Sequence, residues 1–248
     1  RSDLGRRARF GDDDTREEAF GFSFRFYGAA RASAFVNSDG NLTFGEGDVA
    51  TTARSLGRVL TGGPRVAPFF ADLDPSAGGG MFVSASADAF TVTWCAVPDF
   101  DATGRVTAQA SLLAGGAVEV RIDTSTTLKD AVVALSPGAA PSFTPVDLSA
   151  VSGTADGGAS AVGELFAAEA SLDLVGASRR FYDEFADRYD QLILWTDTRV
   201  TESGTFAFET TVRSAIAGIG QEQVDCSAAY GSDGRRSSLV GMSDLSKY

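Results

Sequence analysis

The stretch Phe20-Gly21-Phe22-Ser23-Phe24-Arg25-Phe26-Tyr27-Gly28 places an aromatic residue at every second position from Phe20 to Phe26. Successive side chains of a β-strand point to opposite faces of the sheet, so this period of two predicts a strand with one buried aromatic face. The segment that follows reads Ala34-Phe35-Val36-Asn37-Ser38-Asp39-Gly40-Asn41-Leu42-Thr43-Phe44. Its Asp-Gly step supplies the positive φ that a tight turn needs, and we expect a β-hairpin there.

Strand patterns continue to residue 123 and indicate the fold class. Short apolar or alternating segments lie at 65–74, 81–84, 90–97, 106–113 and 117–123. Together with the first two segments they make at least seven strands before residue 136, which is enough for a sandwich. The sequence therefore predicts a mainly β protein, with an antiparallel β-sandwich domain and an N-terminal arm over residues 1–137.

The composition changes after residue 136. Residues 138–163 consist mostly of Ala, Gly, Ser, Pro and Thr, which bury little apolar surface, and we expect a linker there. Leu174, Phe181, Phe185 and Tyr189 then recur at helical spacing and predict a helix of about three turns. Apolar and alternating runs at 191–196 and 206–212 complete a smaller α/β region of helix, strand, turn and strand over 164–248.

Charge and hydropathy exclude several kinds of partner. The chain has 248 residues with 33 acidic and 21 basic side chains, a formal net charge of -12. Such a field repels phosphate backbones, so nucleic acid is a poor partner. No run approaches the ~18 consecutive apolar residues of a membrane-spanning helix. We expect a soluble protein without a membrane span.

The absence of histidine restricts the available chemistry more than any other feature. It removes Ser-His-Asp and Cys-His mechanisms and every His-containing zinc site from this chain. We therefore expect no zinc site and no complete catalytic constellation here, and the chain is predicted not to be an enzyme by itself. The two cysteines, Cys95 and Cys226, are either bonded or free, and the sequence does not decide between these states.

Five aspartates are candidate calcium ligands. Asp12, Asp13 and Asp14 follow one another in an acidic turn, and their carboxylates are the hard oxygen ligands that calcium prefers. Asp72 and Asp74 stand two apart in an apparent strand, so both should lie on one face, as a pair of catalytic or ligating carboxylates would. The alternative is an acidic strand end that leads into a Gly-rich turn.

The order of these segments resembles the nidogen-type extracellular domain over roughly residues 10–137. The resemblance depends on the acidic turn, the two segments quoted at the start, Ala67-Pro68-Phe69-Phe70-Ala71-Asp72-Leu73-Asp74 and Thr91-Val92-Thr93-Trp94. It implies an extracellular β-rich module of adhesion or matrix proteins, secreted or at the cell surface. The family has no catalytic residues to carry over.

A second resemblance concerns residues 165–248. The run from Arg180 to Thr196, followed by Gly218-Ile219-Gly220 and Met242-Ser243-Asp244-Leu245, resembles the opening of a secreted bacterial metallopeptidase-like domain. This implies that the chain is the N-terminal portion of a larger exported prokaryotic protein. No family zinc ligand can be placed in the chain, because it has no histidine.

The leading functional hypothesis is a non-catalytic adhesion, structural or protein-interaction module. It would act through sandwich loops or an exposed sheet edge on a protein partner, which is either another segment of the same parent protein or a second copy. One alternative is a part of a secreted zinc metallopeptidase whose catalytic segment lies elsewhere. Another is a carbohydrate-binding β-sandwich, because lectin-like folds share this Gly-rich and aromatic-rich composition.

Overall fold

The computed structural model describes residues 4–101, 103–127, 129–140, 142–149, 152–153, 160–167, 173–174, 177–183, 189–194, 208–209 and 226. Within these residues the chain forms sixteen strands and one short helix, α1, at Leu56–Thr61. The strands are β1 Arg6–Ala8, β2 Thr15–Phe26, β3 Ala29–Asn37, β4 Asn41–Thr43, β5 Arg65–Phe70, β6 Gly80–Ala85, β7 Ala89–Pro98, β8 Arg105–Leu113, β9 Val118–Ser125, β10 Ala131–Ser136, β11 Phe143–Pro145, β12 Ser152–Gly153, β13 Ala161–Phe166, β14 Ala177–Asp183, β15 Tyr189–Leu194 and β16 Phe208–Glu209.

The described strands form two seven-stranded sheets, and β12 and β16 form a separate pair. The first sheet has the order β1-β6-β7-β8-β9-β14-β15 and is antiparallel throughout. The second has the order β11-β13-β10-β5-β4-β3-β2, and its one parallel pair joins β11 to β13. The predicted mainly β architecture with two layers is therefore confirmed.

The aromatic face of β2 lies in the core between the sheets, as its period of two predicts. Phe24 and Phe26 are buried, and the ring of Phe26 lies 4.6 Å from that of Phe44. Phe20 is partly buried, and its ring centroid lies 4.8 Å from that of Phe90 in the opposite sheet. Apolar side chains that alternate along a strand thus bury one face, and this burial holds the two sheets together.

The second sheet is also covered on its outer side. Both faces of β5 and β10 are buried, because α1 lies over them. A small apolar cluster of Val59, Ala67, Phe70, Val132 and Ala134 fills this contact. Ser55 begins the helix, since its side chain accepts a hydrogen bond from the backbone N–H of Arg58.

The predicted helix after the linker is wrong in its described part. Ala177–Asp183 is the strand β14, which pairs with β9 on one side and with β15 on the other. Without β14, β9 would be an open sheet edge with unpaired backbone groups, and pairing there outweighs the helical spacing of Phe181 and its neighbours. The strand predicted at 191–196 is confirmed for residues 191–194 within β15. Residues 184–188 lie outside the described part.

The segment predicted to be a linker, 138–163, contains three described strand portions, one of which is the two-residue strand β12. β11 lies within it, and β13 begins there and pairs with β10. Small residues suit this position, since a Cβ at Gly163 would lie 2.1 Å from the carbonyl oxygen of Val133. Strands on both sides of residue 137 therefore share the same sheets, while the proposed division into 1–137, 138–163 and 164–248 stays a prediction about domains.

The two cysteines form a disulfide. Cys95 in β7 is bonded to Cys226, with Cα atoms 5.5 Å apart and a sequence separation of 131 residues. The bond lies beside Leu4 and Phe82. In the described part of the chain, no helix is long and apolar enough to cross a membrane.

The Asp39-Gly40 turn generates a prediction about stability. Gly40 has a φ of 69°, and a Cβ there would lie 1.9 Å from the carbonyl oxygen of Phe69. We expect Gly40→Ala to lower the free energy of unfolding in urea by more than the ~1–2 kcal/mol that a left-handed conformation alone costs. Gly45→Ala is the matched control, because Gly45 also has a positive φ but a Cβ there meets nothing within 4 Å. Equal losses in the two variants would contradict the role of the close contact.

Candidate functional site

Four loops meet at one end of the sandwich, and Arg54 joins them. Its Nη2 forms ion pairs with Asp13, in the loop between β1 and β2, and with Asp72 Oδ1 at 3.0 Å, just after β5. Its Nε donates to Asp39 Oδ2 at 2.8 Å, in the turn between β3 and β4. Arg54 itself lies in the loop between β4 and α1, and its side chain is only 5% exposed.

Asp39 is the most deeply buried carboxylate of this group, with a side chain that is 2% exposed. Its Oδ1 accepts a hydrogen bond from the backbone N–H of Leu73 at 3.3 Å. Burial raises the pKa of Asp39 to about 7, although the hydrogen bond and charge of Arg54 and the Leu73 N–H lower it. Arg54 is therefore the cation that compensates a carboxylate in the interior.

Three of the predicted aspartates lie near enough to a fourth, Asp12, for their charges to act on it. The pKa of Asp12 is raised by partial burial and by the charges of Asp13, Asp74 and Asp72, in that order. The charge of Arg54 acts in the opposite direction on Asp12, and Arg54 also pairs with Asp13 and Asp72. We call Asp12, Asp13, Asp72, Asp74 and Arg54 the Arg54 cluster.

Asp14, the fifth candidate, organises its own turn. Its Oδ2 accepts from the N–H of Gly11 at 3.0 Å, and its Oδ1 accepts from the N–H of Thr15 at 2.9 Å. Its own N–H donates to Ser38 Oγ at 3.0 Å. The carboxylate of Asp14 thus closes the loop that presents Asp12 and Asp13.

Asp72 and Asp74 do not lie within a strand, contrary to the sequence prediction, because β5 ends at Phe70. Leu73 between them is buried and forms an isolated bridge with Asp99. The two carboxylates also have different partners: Asp72 pairs with Arg54, whereas Asp74 Oδ1 accepts from the N–H and the hydroxyl of Ser76. One carboxylate therefore joins an ion pair and the other caps a turn.

A second buried ion-pair group lies on the other side of the same loop. Asp48 pairs with Arg58 Nη2 at 2.5 Å and with Arg65 Nη1 at 3.0 Å, and its backbone N–H donates to Asn37 Oδ1. Burial acts to raise the pKa of Asp48, but the charges of Arg65 and Arg58 outweigh it, so the pKa is lowered. Asp48 is therefore held as an anion.

These two groups fix a loop whose tip is exposed, residues 49–53, which we call the tip loop. Asp48 anchors its beginning and Arg54 its end. The carbonyl oxygen of Thr52 accepts from Arg58 Nη1 at 2.6 Å and from Arg54 Nη1 at 3.1 Å. Val49 is 56% exposed. A scaffold that holds an exposed loop in one conformation is typical of recognition surfaces.

Three further carboxylates, from Asp147, Glu164 and Asp173, have oxygens within 4.8 Å of one another. Glu164 Oε2 also accepts from the backbone N–H of Leu148 at 2.8 Å. The sequence carries no signal for this group, because its members are brought together only by the fold.

Calcium binding by Asp12, Asp13, Asp14, Asp72 and Asp74 stays a prediction. In the Arg54 cluster, the positive charge beside Asp13 and Asp72 is the guanidinium of Arg54.

The tripeptide Asn41-Leu42-Thr43 has the pattern of an N-glycosylation acceptor, but Asn41 is fully buried. Its side-chain oxygen accepts from Asn37 Nδ2 at 3.0 Å. A glycan requires an exposed acceptor, and the folded chain does not present one here.

Two mainly antiparallel sheets around a common core, with loops fixed by buried ion pairs at one end, define a mainly β sandwich protein. A family model described as NIDO related matches residues 5–162. The chain belongs to this NIDO-related family, in agreement with the nidogen-type resemblance. The metallopeptidase resemblance of residues 165–248 lies outside the matched range and stays a prediction. No curated protein and no solved structure matches the chain.

Removal of the central cation should destabilise the fold strongly. Arg54→Ala leaves Asp39 buried without its partner, and we expect a loss of about 3–5 kcal/mol in the free energy of unfolding, measured in urea at pH 8. Arg6→Ala is the control, because Arg6 pairs with Glu18 while its own side chain is 56% exposed. A pair of that kind contributes about 0–1 kcal/mol. Similar losses in both variants would refute the central role of Arg54.

The two buried aspartates should respond oppositely to pH. Between about pH 4 and 7 the folded state keeps a proton on Asp39 that the unfolded state has released, so this group's contribution to stability falls as pH rises. Asp48, with its lowered pKa, contributes stability that is present above about pH 4 and is lost as pH falls below it. We expect Asp39→Asn to flatten the stability profile above pH 4 and Asp48→Asn to flatten it below pH 4, as measured by urea unfolding. The reverse assignment would contradict both.

Proposed function

We propose that this chain is a non-catalytic extracellular interaction module, the N-terminal portion of a larger secreted prokaryotic protein. The observation that carries the proposal is the exposed tip loop, which is held at both ends by buried ion pairs on a sandwich of the NIDO-related family. A rigid loop loses little conformational entropy when it binds, which favours contact with a partner. The chain also lacks histidine, in keeping with a role that does not involve catalysis.

An oxidising compartment is supported by the disulfide. Cys95 and Cys226 are bonded, and such bonds persist in secreted and surface proteins while the cytosol keeps thiols reduced. The nidogen-type resemblance implies the same location. We therefore place the module outside the cell.

The surface around the tip loop suits a protein partner. Val49 and Phe100 expose apolar side chains. Phe100 belongs to the same end of the sandwich, because its N–H donates to the carbonyl oxygen of Asp72 at 2.8 Å. Protein–protein interfaces typically have an apolar centre and a polar rim, and apolar side chains beside acidic ones fit this pattern.

The sheet edge at β2 is less suited to binding. The register between β2 and β3 shifts between Ala19 and Phe24, so the residues in between leave the ladder. Arg6 and Glu18 also tie β1 to β2 across the two sheets at 2.5 Å. Bulges and charges of this kind protect edges against pairing with another chain. We therefore assign the contact role to the loops and not to this edge.

Site-specific photocrosslinking in the producing cells tests the proposal. A benzoylphenylalanine replaces Ala50 in the tip loop or, as the matched control, Ala114 in the turn between β8 and β9. Both alanines are exposed. Ala114 follows the end of β8, whereas the loop with Phe100, at the tip-loop end of the sandwich, precedes its start. We expect one discrete crosslinked protein from Ala50 and none from Ala114, because only the tip loop contacts the partner.

The outcomes separate the candidate roles. Crosslinks from both positions alike, or from neither, would contradict a contact surface at the tip loop. A crosslink from Ala50 to a second copy of the chain would identify the partner as self, and one to a downstream segment would identify an intramolecular contact. Both belong to the interaction role, since they place the contact at the same loop.

A further inference from the structure

We propose that the Cys95–Cys226 disulfide is a reducible cross-link, which we call the clip. It keeps an apolar patch on the outer face of the first sheet closed, and it forms once the chain meets an oxidising disulfide. The patch consists of Leu4, Phe82 and Cys95, and Cys226 lies against it. The clip is independent of the tip loop and of its partner.

The alternation of the strands places this patch outside the main core. Met81 and Val83 of β6 and Trp94 of β7 belong to the core between the sheets. Phe82 and Cys95, next to them in the sequence, therefore point to the other face. Phe82 and Cys95 are nevertheless almost fully buried. Leu4 and Cys226 are the described residues that pack against them on this face.

The sandwich does not depend on the clip for its main packing. Among the described residues, the core between the sheets contains 32 buried ones, and Leu4, Phe82, Cys95 and Cys226 are not among these. The NIDO-related match likewise ends at residue 162, so it includes Cys95 but not Cys226. Most strands of both sheets therefore lie within the matched range without the second cysteine. We expect loss of the bond to open the patch without separating the sheets.

The chemistry is a thiol–disulfide exchange with both electrons accounted for. During closure, the Cys226 thiolate attacks an oxidant disulfide and releases one oxidant thiol. The Cys95 thiolate then attacks the Cys226 sulfur of this mixed disulfide, forms the protein bond and releases the second oxidant thiol. The protein loses two electrons and two protons, and the oxidant disulfide gains them.

Opening runs in the opposite direction and begins at the accessible sulfur. Cys95 is fully buried, whereas Cys226 is only partly buried. A dithiol reductant therefore attacks Cys226, and Cys95 leaves as a thiolate. The second thiol of the reductant then releases Cys226 and leaves the reductant as a cyclic disulfide. The patch is open before export from a reducing compartment and closed afterwards.

The test uses the full chain with Trp195→Phe, so that fluorescence reports on Trp94 alone. Trp94 is buried in the main core, where its Nε1 donates to the carbonyl oxygen of Asn37 at 3.1 Å. The protein is reduced by graded dithiothreitol without denaturant and alkylated with iodoacetamide, and mass spectrometry measures labelling at each cysteine. Cys226→Ser, which cannot close the clip, is compared with wild type under oxidising conditions for binding of a hydrophobic dye.

We expect complete labelling of both cysteines while the Trp94 emission stays that of a buried indole, and several-fold more dye bound by Cys226→Ser than by oxidised wild type. A red shift of Trp94 in step with reduction would overturn the proposal, since the bond would then hold the whole sandwich. Cys95 that stays unlabelled after reduction, or equal dye binding by the two proteins, would also overturn it, because the patch would then be closed without the bond.

Discussion

The turn at Asp39-Gly40 is the point on which one whole end of the molecule depends. Its backbone carbonyls accept from the N–H groups of Ala71 and Phe69, so the turn fixes the end of β5. Its carboxylate accepts from Leu73 and Arg54, so the same residue also fixes the loop that follows β4. A charge this deeply buried is tolerated only with a partner and satisfied hydrogen bonds. The position of Arg54, and with it the tip loop, follows from that requirement.

Local periodicity explains which parts of the fold could be predicted from the sequence. The alternation of β2 and the Asp-Gly step are properties of neighbouring residues, and the structure confirms both. The helix predicted around Phe181 depended on spacing alone, whereas the strand found there depends on the edge of β9, more than fifty residues earlier. Sequence patterns carry no information about which distant edge needs a partner, so this element could not be foreseen.

The candidate site, like the fold, could be predicted from the sequence only in part. Acidic turns are easy to recognise in a sequence, and two of the five aspartates proposed from it, Asp13 and Asp72, pair with Arg54. The arginine itself was missed, because a single cation between Ala53 and Ser55 has no distinguishing pattern. The group of Asp147, Glu164 and Asp173 was missed for a similar reason. Its members lie far apart in the sequence, and they come together only in the folded chain. The residue types in a sequence indicate which chemistry is available, but the tertiary structure determines which of those residues come together in one site.

The distribution of charge at this end also has a consequence for binding. Three arginines, Arg54, Arg58 and Arg65, have largely buried side chains and are engaged with carboxylates of the same region. Asp12 and Glu46 remain exposed there. Because the cations point inward, the potential that a partner meets is more negative than the residue count of this region suggests. A basic partner would consequently be steered towards the tip loop, and its association rate would fall as salt screens the exposed carboxylates.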